Sequence, residues 1–448
     1  MKRRIFYFVM LLATITCRAQ YKLDTLHYAG DSKYFIDIVY LGDGFTSDEM
    51  DSFVGFVKSQ NDHFFDKAPW RQYRSMFNVF YVKTASNVSG AGMTPDQPVD
   101  NFYGVCFGTS GVDRMPWPTK WSKVYEVLNA VKPDYDMVPI VVNSTKYGGG
   151  GGGSFICFSM DNHSIETLRH ESGHALGSLA DEYWYRGREA ANMTQKIDPV
   201  KWQLWMGENG IGTYRYSEDA SAEAYSWYRP HQDCLMRYLN REYCSVCCEA
   251  LIEKIHKNSK CLIAYSPEDK SVNLENEDVV FSLNLLKPEP NTLRIDWLLD
   301  EETVAHNEER FILQPGTVTN GKHELLAIVE DTTLLVRTVD HTKLHASTVT
   351  WGINANTETG IETLSVSTHE YLISPLPFES VLTFSNKQSQ QIETRLELYN
   401  AAGVLMTSGT FHDDANCSLY TAQLQPGVYL LCVYQSNKLI YKQKIIKL

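Results

Sequence analysis

The chain has 448 residues, 43% of them apolar and 21% charged, which is the make-up of two to four folded domains and not of a disordered chain. Its formal charge is −13; setting aside Lys2, Arg3, Arg4 and Arg18 as part of a leader, the 41 basic residues fall to 37 against 54 acidic ones, a net −17. With no basic patch to neutralise phosphates, nucleic-acid binding has no electrostatic support, and the acid excess reads as a solubilising surface.

Lys2-Arg3-Arg4 precedes an eleven-residue run, residues 5–15, that is apolar but for Thr14; Cys17-Arg18-Ala19 then offers small residues where a signal peptidase reads. Cleavage is expected after Ala19, giving a secreted or cell-surface protein. The run is too short to span a bilayer and no later stretch is long enough, so no transmembrane segment is expected. Nine cysteines follow the leader, with Cys234, Cys244, Cys247 and Cys248 inside fifteen residues. Cys244-Ser-Val-Cys247 has half the spacing of a zinc knuckle but no second such pair, and an oxidising compartment favours local disulfides.

Residues 33–45 read as a buried strand ending in the turn Gly42-Asp43-Gly44. Thr46 or Ser47 then caps a helix carrying Met50, Phe53 and Val57. Residues 77–84 and 137–143 read as strands and 125–131 as a helix, an alternation that argues for an α/β layer. Six glycines follow, Gly148 to Gly153. No Lys-Ser or Lys-Thr comes after them, so they are not a phosphate loop; a flexible loop or a mobile rim of a substrate site is expected. The next strand, 154–160, is the expected sheet edge for an extended peptide. Beyond about residue 266, short alternating strands such as 293–299 and 324–339, with frequent turns, read as a β-sandwich. Ser374-Pro-Leu-Pro377 introduces a last strand-rich module.

The strongest chemical signal is His170-Glu171-Ser172-Gly173-His174. Imidazoles at i and i+4 share a helical face and can chelate one Zn²⁺, with the intervening Glu171 as general base. Ile165, Leu168, Ala175, Leu176 and Leu179 fall on the opposite face, and Asp161 or Asn162 is the expected N-cap. A catalytic zinc takes a third protein ligand. Gly177 stands where metzincins turn the chain, but their third-ligand position is Ala180; Asp181, one residue on, is the expected ligand and Glu182 the alternative. Cys234-Leu235-Met236-Arg237-Tyr238 is similar to a Met-turn, with Tyr238 placed to stabilise an oxyanion. His231 is given no role.

Gly42-Asp43-Gly44-Phe45-Thr46, Phe77-Asn78-Val79, Tyr147-Gly148-Gly149, the helix motif with Asp181, Glu182 and Tyr183, and Cys234-x-Met236 with Cys244-x-x-Cys247 resemble the IgA peptidase-like metallopeptidase family over roughly residues 30–260. The resemblance implies a secreted zinc endopeptidase acting on protein or peptide substrates. In it His170, His174 and Asp181 hold the metal, and Glu171 moves the proton of the attacking water to the leaving amine. Immunoglobulin as substrate is not implied. Pro377-Phe378, residues 396–403, 424–429 and the terminal Lys442-Gln-Lys-Ile-Ile-Lys447 resemble the C-terminal sorting domain of type IX secretion, implying contact with secretion machinery. The expected fold class is an α/β (α+β) metzincin-like catalytic domain followed by all-β immunoglobulin-like modules. Its divisions are a leader at 1–19, catalytic domain 20–265, sandwich 266–370 and sorting domain 371–448. Competing readings are a non-catalytic adhesin or glycan-binding protein with a structural zinc, and a zinc amidase acting on cell-wall peptides. Arg114 or Arg186 could read an acidic side chain, but the charge of about −18 in residues 20–370 leans towards basic or neutral substrates.

Overall fold

The segment Ile36–Asp43 is buried at all eight positions, as a strand covered on both faces must be. In the computed structural model, which describes residues 21–356, 371–386, 393–412, 416–435 and 438–448, it is strand β2 at the heart of a six-stranded sheet. Around it lie β1 (Leu23–His27), β3 (Phe77–Val82), β4 (Val138–Val142), β5 (Gly149–Gly152) and β6 (Phe155–Ser159). The order is β1-β3-β2-β4-β6-β5, parallel from β3 through β6, with antiparallel strands at both edges. The expected leader and most of the expected 370 boundary lie outside the described residues.

Side chains alternate across this sheet. Val39, Leu41, Ile140, Val142, Phe155 and Cys157 face one way, onto Val124, Val127 and Leu128 of helix α2 (Trp121–Val131). Gly42 and Phe158 face the other way, against Phe53 and Phe56 of α1 (Met50–Phe64). Helix α3 (Ser164–Ala175) packs on that second face beside β5 and β6. The entry to α1 is held by Thr46, whose N–H donates to Glu49 Oε2 at 2.8 Å. Asp43, at the end of β2, is fully buried and accepts the N–H groups of Tyr103 and Val105 at 2.9 and 2.8 Å, tying a long loop to the sheet.

Two sequence expectations change here. The glycines are not a loop: Gly149–Gly152 is a strand, and it forms the sheet edge, with β6 enclosed between β4 and β5. The close fit of β5 to its neighbours explains the composition. A Cβ at Gly149 would lie 2.2 Å from Thr167 Cγ2, and one at Gly151 2.6 Å from Glu171 Oε2.

After α3 the chain is largely irregular, with a two-residue ladder of β7 (Tyr214–Arg215) and β8 (Tyr228–Arg229), until α4 (Ser245–Asn258). The strands β9 (Leu262–Ser266), β10 (Ser271–Leu274), β11 (Val279–Leu285), β12 (Leu293–Leu299), β13 (Glu302–His306), β14 (Arg310–Leu313), β15 (Gly321–Asp331) and β16 (Ala346–Ala355) follow, with a short helix α5 (His341–His345) before β16. The strand expected over 324–339 ends at Asp331, because that side chain is drawn into a buried polar cluster.

The chain divides into two units: Met1–Lys270 with Val280–Phe311 and Glu324–Gly352, and Ser271–Val279 with Ile312–His323 and Ile353–Leu448. Within the first, β9 pairs with β11 and β12 with β13 and β15, around Trp297 and Trp351 stacked at 5.9 Å with Phe281 edge-on to Trp351. These strands dock on the segment that carries Tyr73 and α4 through Asp331. Its Oδ2 accepts from Tyr73 Oη at 2.7 Å and His256 Nε2 at 2.9 Å, and its Oδ1 from Thr292 Oγ1 at 2.5 Å.

In the second unit, β17 (Tyr371–Ser374), β18 (Val381–Asn386) and β21 (Asn416–Tyr420) form one sheet, and β20 (Leu405–Phe411), β19 (Thr394–Asn400), β22 (Gly427–Gln435) and β23 (Lys438–Lys447) another. Phe378, Leu382, Leu396, Leu398, Leu431 and Val433 fill the space between them. The class is thus mixed α/β and rich in strands. Among the described residues no helix is long and apolar enough to cross a membrane.

Candidate metal centre

Helix α3 begins one turn earlier than its histidines need. Asp161 does not cap it directly; the cap residue is His163, whose N–H donates to Asp161 Oδ1 at 2.6 Å in the turn before the helix. Leu168 and Ser172 face inward, while Thr167, His170, Glu171 and His174 border a cleft of about 600 Å³. The helix ends at Ala175, so Leu176 and Leu179 reach the core from the exit turn.

His170 and His174 are fixed by backbone oxygens. Their Nδ1 atoms lie 3.0 Å from Leu235 O and 2.7 Å from Leu179 O. A carbonyl only accepts, so each Nδ1 carries the hydrogen and each Nε2 presents a lone pair in the neutral ring. Both Nε2 atoms lie 3.1 Å from one oxygen, Asp181 Oδ1. Lone pairs facing a carboxylate repel unless a proton or a cation lies among them. A tetrahedral ion with ligands at about 2.0–2.1 Å keeps them about 3.3 Å apart, so the donor set fits zinc.

Without metal, protons take that role. Burial alone would lower the His170 imidazole, but its hydrogen bond to Asp181 and the nearby carboxylates bring it up to about 9. Burial would raise Asp181; the hydrogen bonds and charges of the two histidines hold it far below the usual carboxylate range.

The structure brings His170, His174 and Asp181 together and sets Glu171 on the same cleft. The choice between neighbouring acids follows from Asn192, whose side chain holds both Ala180 N–H and Ala180 O at 2.8 Å. With Ala180 pinned, Asp181 turns to the histidines and Glu182 turns inward, where Oε1 meets Asn192 and Cys247 Sγ. Met236 is buried beneath the helix: a Cβ on Gly173 would lie 2.7 Å from its Sδ.

Tyr238 is not brought in. It is 48% exposed, beside Arg237, and does not line the cleft. Tyr183 does, its ring stacked on His170 at 6.3 Å. Burial and then the charge of Asp181 push its phenol up, keeping it a donor. The signal for it was its place two residues after Asp181. The cleft itself does not share the net acidity of the chain. Arg114, Arg186 and Arg237 line the cleft, whose acids are Glu171 and Asp181 alone.

The expected local disulfides are not formed: Cys234, Cys244, Cys247 and Cys248 stand as buried thiols. Cys234 Sγ and Cys247 Sγ stand 3.8 Å apart, against about 2.05 Å for a bonded pair.

Comparison with known proteins agrees with this geometry over two segments. Residues 25–204 match the family model described as IgA Peptidase M64, and residues 372–447 match the secretion system C-terminal sorting domain. The family resemblances read from the sequence are borne out there. No curated protein matches the chain. Among solved structures, the fibronectin(III)-like modules of Clostridium thermocellum CbhA are 17% identical, covering 21% of this chain and 98% of theirs, at a TM-score of 0.15. Dimeric latent PorU from Porphyromonas gingivalis is 12% identical over 42% of this chain and 20% of its own, at 0.16. The Bacteroides ovatus glucan-locus protein SGBP-B is 10% identical over 40% and 42%, at 0.15. The chain thus spans about a fifth of PorU and less than half of SGBP-B, and likenesses this low carry no functional weight.

Proposed function

We propose that this chain is an exported zinc-dependent endopeptidase with a metzincin-like catalytic domain at 20–265, a sandwich at 266–370 and a sorting domain at 371–448 behind a cleaved leader, 1–19. The observation that carries the reading is the convergence of His170 Nε2, His174 Nε2 and Asp181 Oδ1 on a cleft that Glu171 also borders. When bound, zinc supplies Lewis acidity to the scissile carbonyl and to water. Glu171 takes the proton of the attacking water and hands it to the leaving nitrogen. Tyr183, protonated and at the cleft, is the better placed donor to the developing oxyanion than Tyr238. The outer side of β5, exposed at Gly151 and Gly152, is a sheet edge along which an extended peptide can pair, bringing its carbonyl to the metal.

Arg114, Arg186 and Arg237 support acidic side chains in the substrate. The sorting-domain match indicates export and supports contact with secretion machinery through 372–447. Three ligands facing an open cleft weigh against a purely structural zinc, as the adhesin reading requires. The test is Glu171→Gln with peptide-library cleavage as the readout. It should keep its zinc and lose about 10²–10⁴-fold in turnover; full turnover in that variant overturns the reading.

A further inference from the structure

We propose a second metal site in this protein, for a thiophilic divalent ion such as Zn²⁺, held by Cys234, Cys244, Cys247 and Glu182 behind the cleft. The four ligand atoms lie within 4.8 Å of one another and all four residues are buried. Cys234 Sγ to Cys247 Sγ is 3.8 Å, Cys247 Sγ to Glu182 Oε1 3.2 Å, and Cys244 Sγ to Glu182 Oε1 3.9 Å. A tetrahedral zinc with sulfur at about 2.3 Å and oxygen at about 2.0–2.2 Å spaces its ligands about 3.8 Å sulfur to sulfur and about 3.5 Å sulfur to oxygen. The sulfur–sulfur distance equals that spacing, and the two sulfur–oxygen distances fall on either side of theirs.

A second observation points the same way. Glu182 is fully buried, and its Oε2 has no hydrogen-bond partner. An ionised carboxylate so placed among three thiols is costly unless a proton or a cation neutralises it, and a proton alone leaves the three thiols around it without a common partner. Three thiolates, a carboxylate and a divalent ion leave an excess of about two negative charges. The surroundings temper it: Cys244 is the N-cap of α4, its N–H lies 3.3 Å from Cys234 Sγ, and the buried guanidinium of Arg229 acts on Glu182. The knuckle half-motif of the sequence thus finds its other two ligands in separate segments.

The site would join three parts of the chain. Glu182 adjoins Asp181 and its N–H donates to Met236 O at 2.7 Å; Cys234 lies two residues before Met236; Cys244 and Cys247 belong to α4. An ion there fixes the backbone that presents Asp181 and Met236 to α3. The role is positional and takes no part in proton transfer.

The experiment uses the full chain, with metal content by mass spectrometry and Co²⁺ as the spectroscopic probe. The expected result is two ions per chain and a thiolate-to-cobalt charge-transfer band. A His170→Ala/His174→Ala double variant should lose one ion and keep the band, because the cleft ligands contain no sulfur. Cys247→Ser should lose the other ion and weaken the band; if it fails to fold, the wild-type and double-variant spectra still decide. Absence of a thiolate-to-cobalt band, or a Cys234–Cys247 disulfide in the native protein, overturns the proposal. The band is independent of hydrolysis, so its presence in a protein without peptidase activity would sink the proposed function and leave this site standing.

Discussion

Gly151→Ala should cripple turnover without unfolding the protein. Position 151 is not in a left-handed conformation, so alanine meets no backbone strain there. What it meets is Glu171: the new Cβ would lie 2.6 Å from Oε2 and 3.6 Å from Cδ. Ordinary van der Waals contact begins near 3.4 Å, so the carboxylate must withdraw by about 0.8 Å. A misplacement of about 1 Å in reacting groups can cost about 10²-fold. A fall of about 30–100-fold in kcat, or about 2–2.7 kcal/mol in the barrier, is expected with KM little changed. Gly152→Ala is the control: it sits on the same edge, but its nearest neighbour is Trp117 Cζ2 at 3.3 Å. The assay is turnover of a peptide found by library screening, with zinc content and thermal unfolding alongside. Wild-type kcat in Gly151→Ala would refute the reasoning. An equal loss in Gly152→Ala would assign the effect to substrate pairing instead of the base.

Asp181→Asn should keep the fold and surrender zinc to a chelator at concentrations the wild type withstands, read by metal analysis after dialysis. Arg114→Glu or Arg186→Glu should lower kcat/KM about tenfold for peptides with acidic residues beside the scissile bond and raise it for basic ones, since reversing a half-screened charge near a partner is worth about 1–2 kcal/mol; an unchanged ratio removes these arginines from substrate reading. Asp331→Asn should cost about 3 kcal/mol in denaturant unfolding, because one of the two oxygens that accept from Tyr73, His256 and Thr292 becomes an NH2 donor facing donors in a buried cluster. Burial would raise Asp331, but those hydrogen bonds hold its carboxyl below the ordinary range. Its contribution is therefore full above about pH 3.9 and lost as pH falls through the lower native value. The gap between wild type and Asp331→Asn should close in strong acid and persist at pH 7.

Much of the cleft was legible because its residues lie in one helix and the turn after it. The i, i+4 spacing alone puts His170 and His174 on one face, and an acid had to follow Gly177. Which acid was decided by Asn192 gripping Ala180, a contact twelve residues downstream that no local pattern encodes. The glycine strand was missed because glycine has no side chain to alternate, so the period that marks a strand is silent. Tyr238 was chosen on its spacing from Met236, and the turn of the loop placed another ring, Tyr183, on His170. The clustered cysteines were read as pairs because Glu182, more than fifty residues away in sequence, gave no sign of joining them. Net charge did not report the charge of the cleft for a similar reason: Arg114, Arg186 and Arg237 are dispersed in sequence and gather only in the folded cleft.

A sheet edge is also a site where one molecule can add to another. The open side of β5 has no neighbouring strand among the described residues, and a run of side-chain-bearing residues there would template edge-to-edge growth between copies of the chain. Four glycines make that growth unfavourable, since each loses about 0.5–1 kcal/mol more conformational freedom than alanine when it is immobilised in a strand and offers no apolar surface in return. The edge can therefore remain uncovered in a crowded extracellular setting without seeding aggregates.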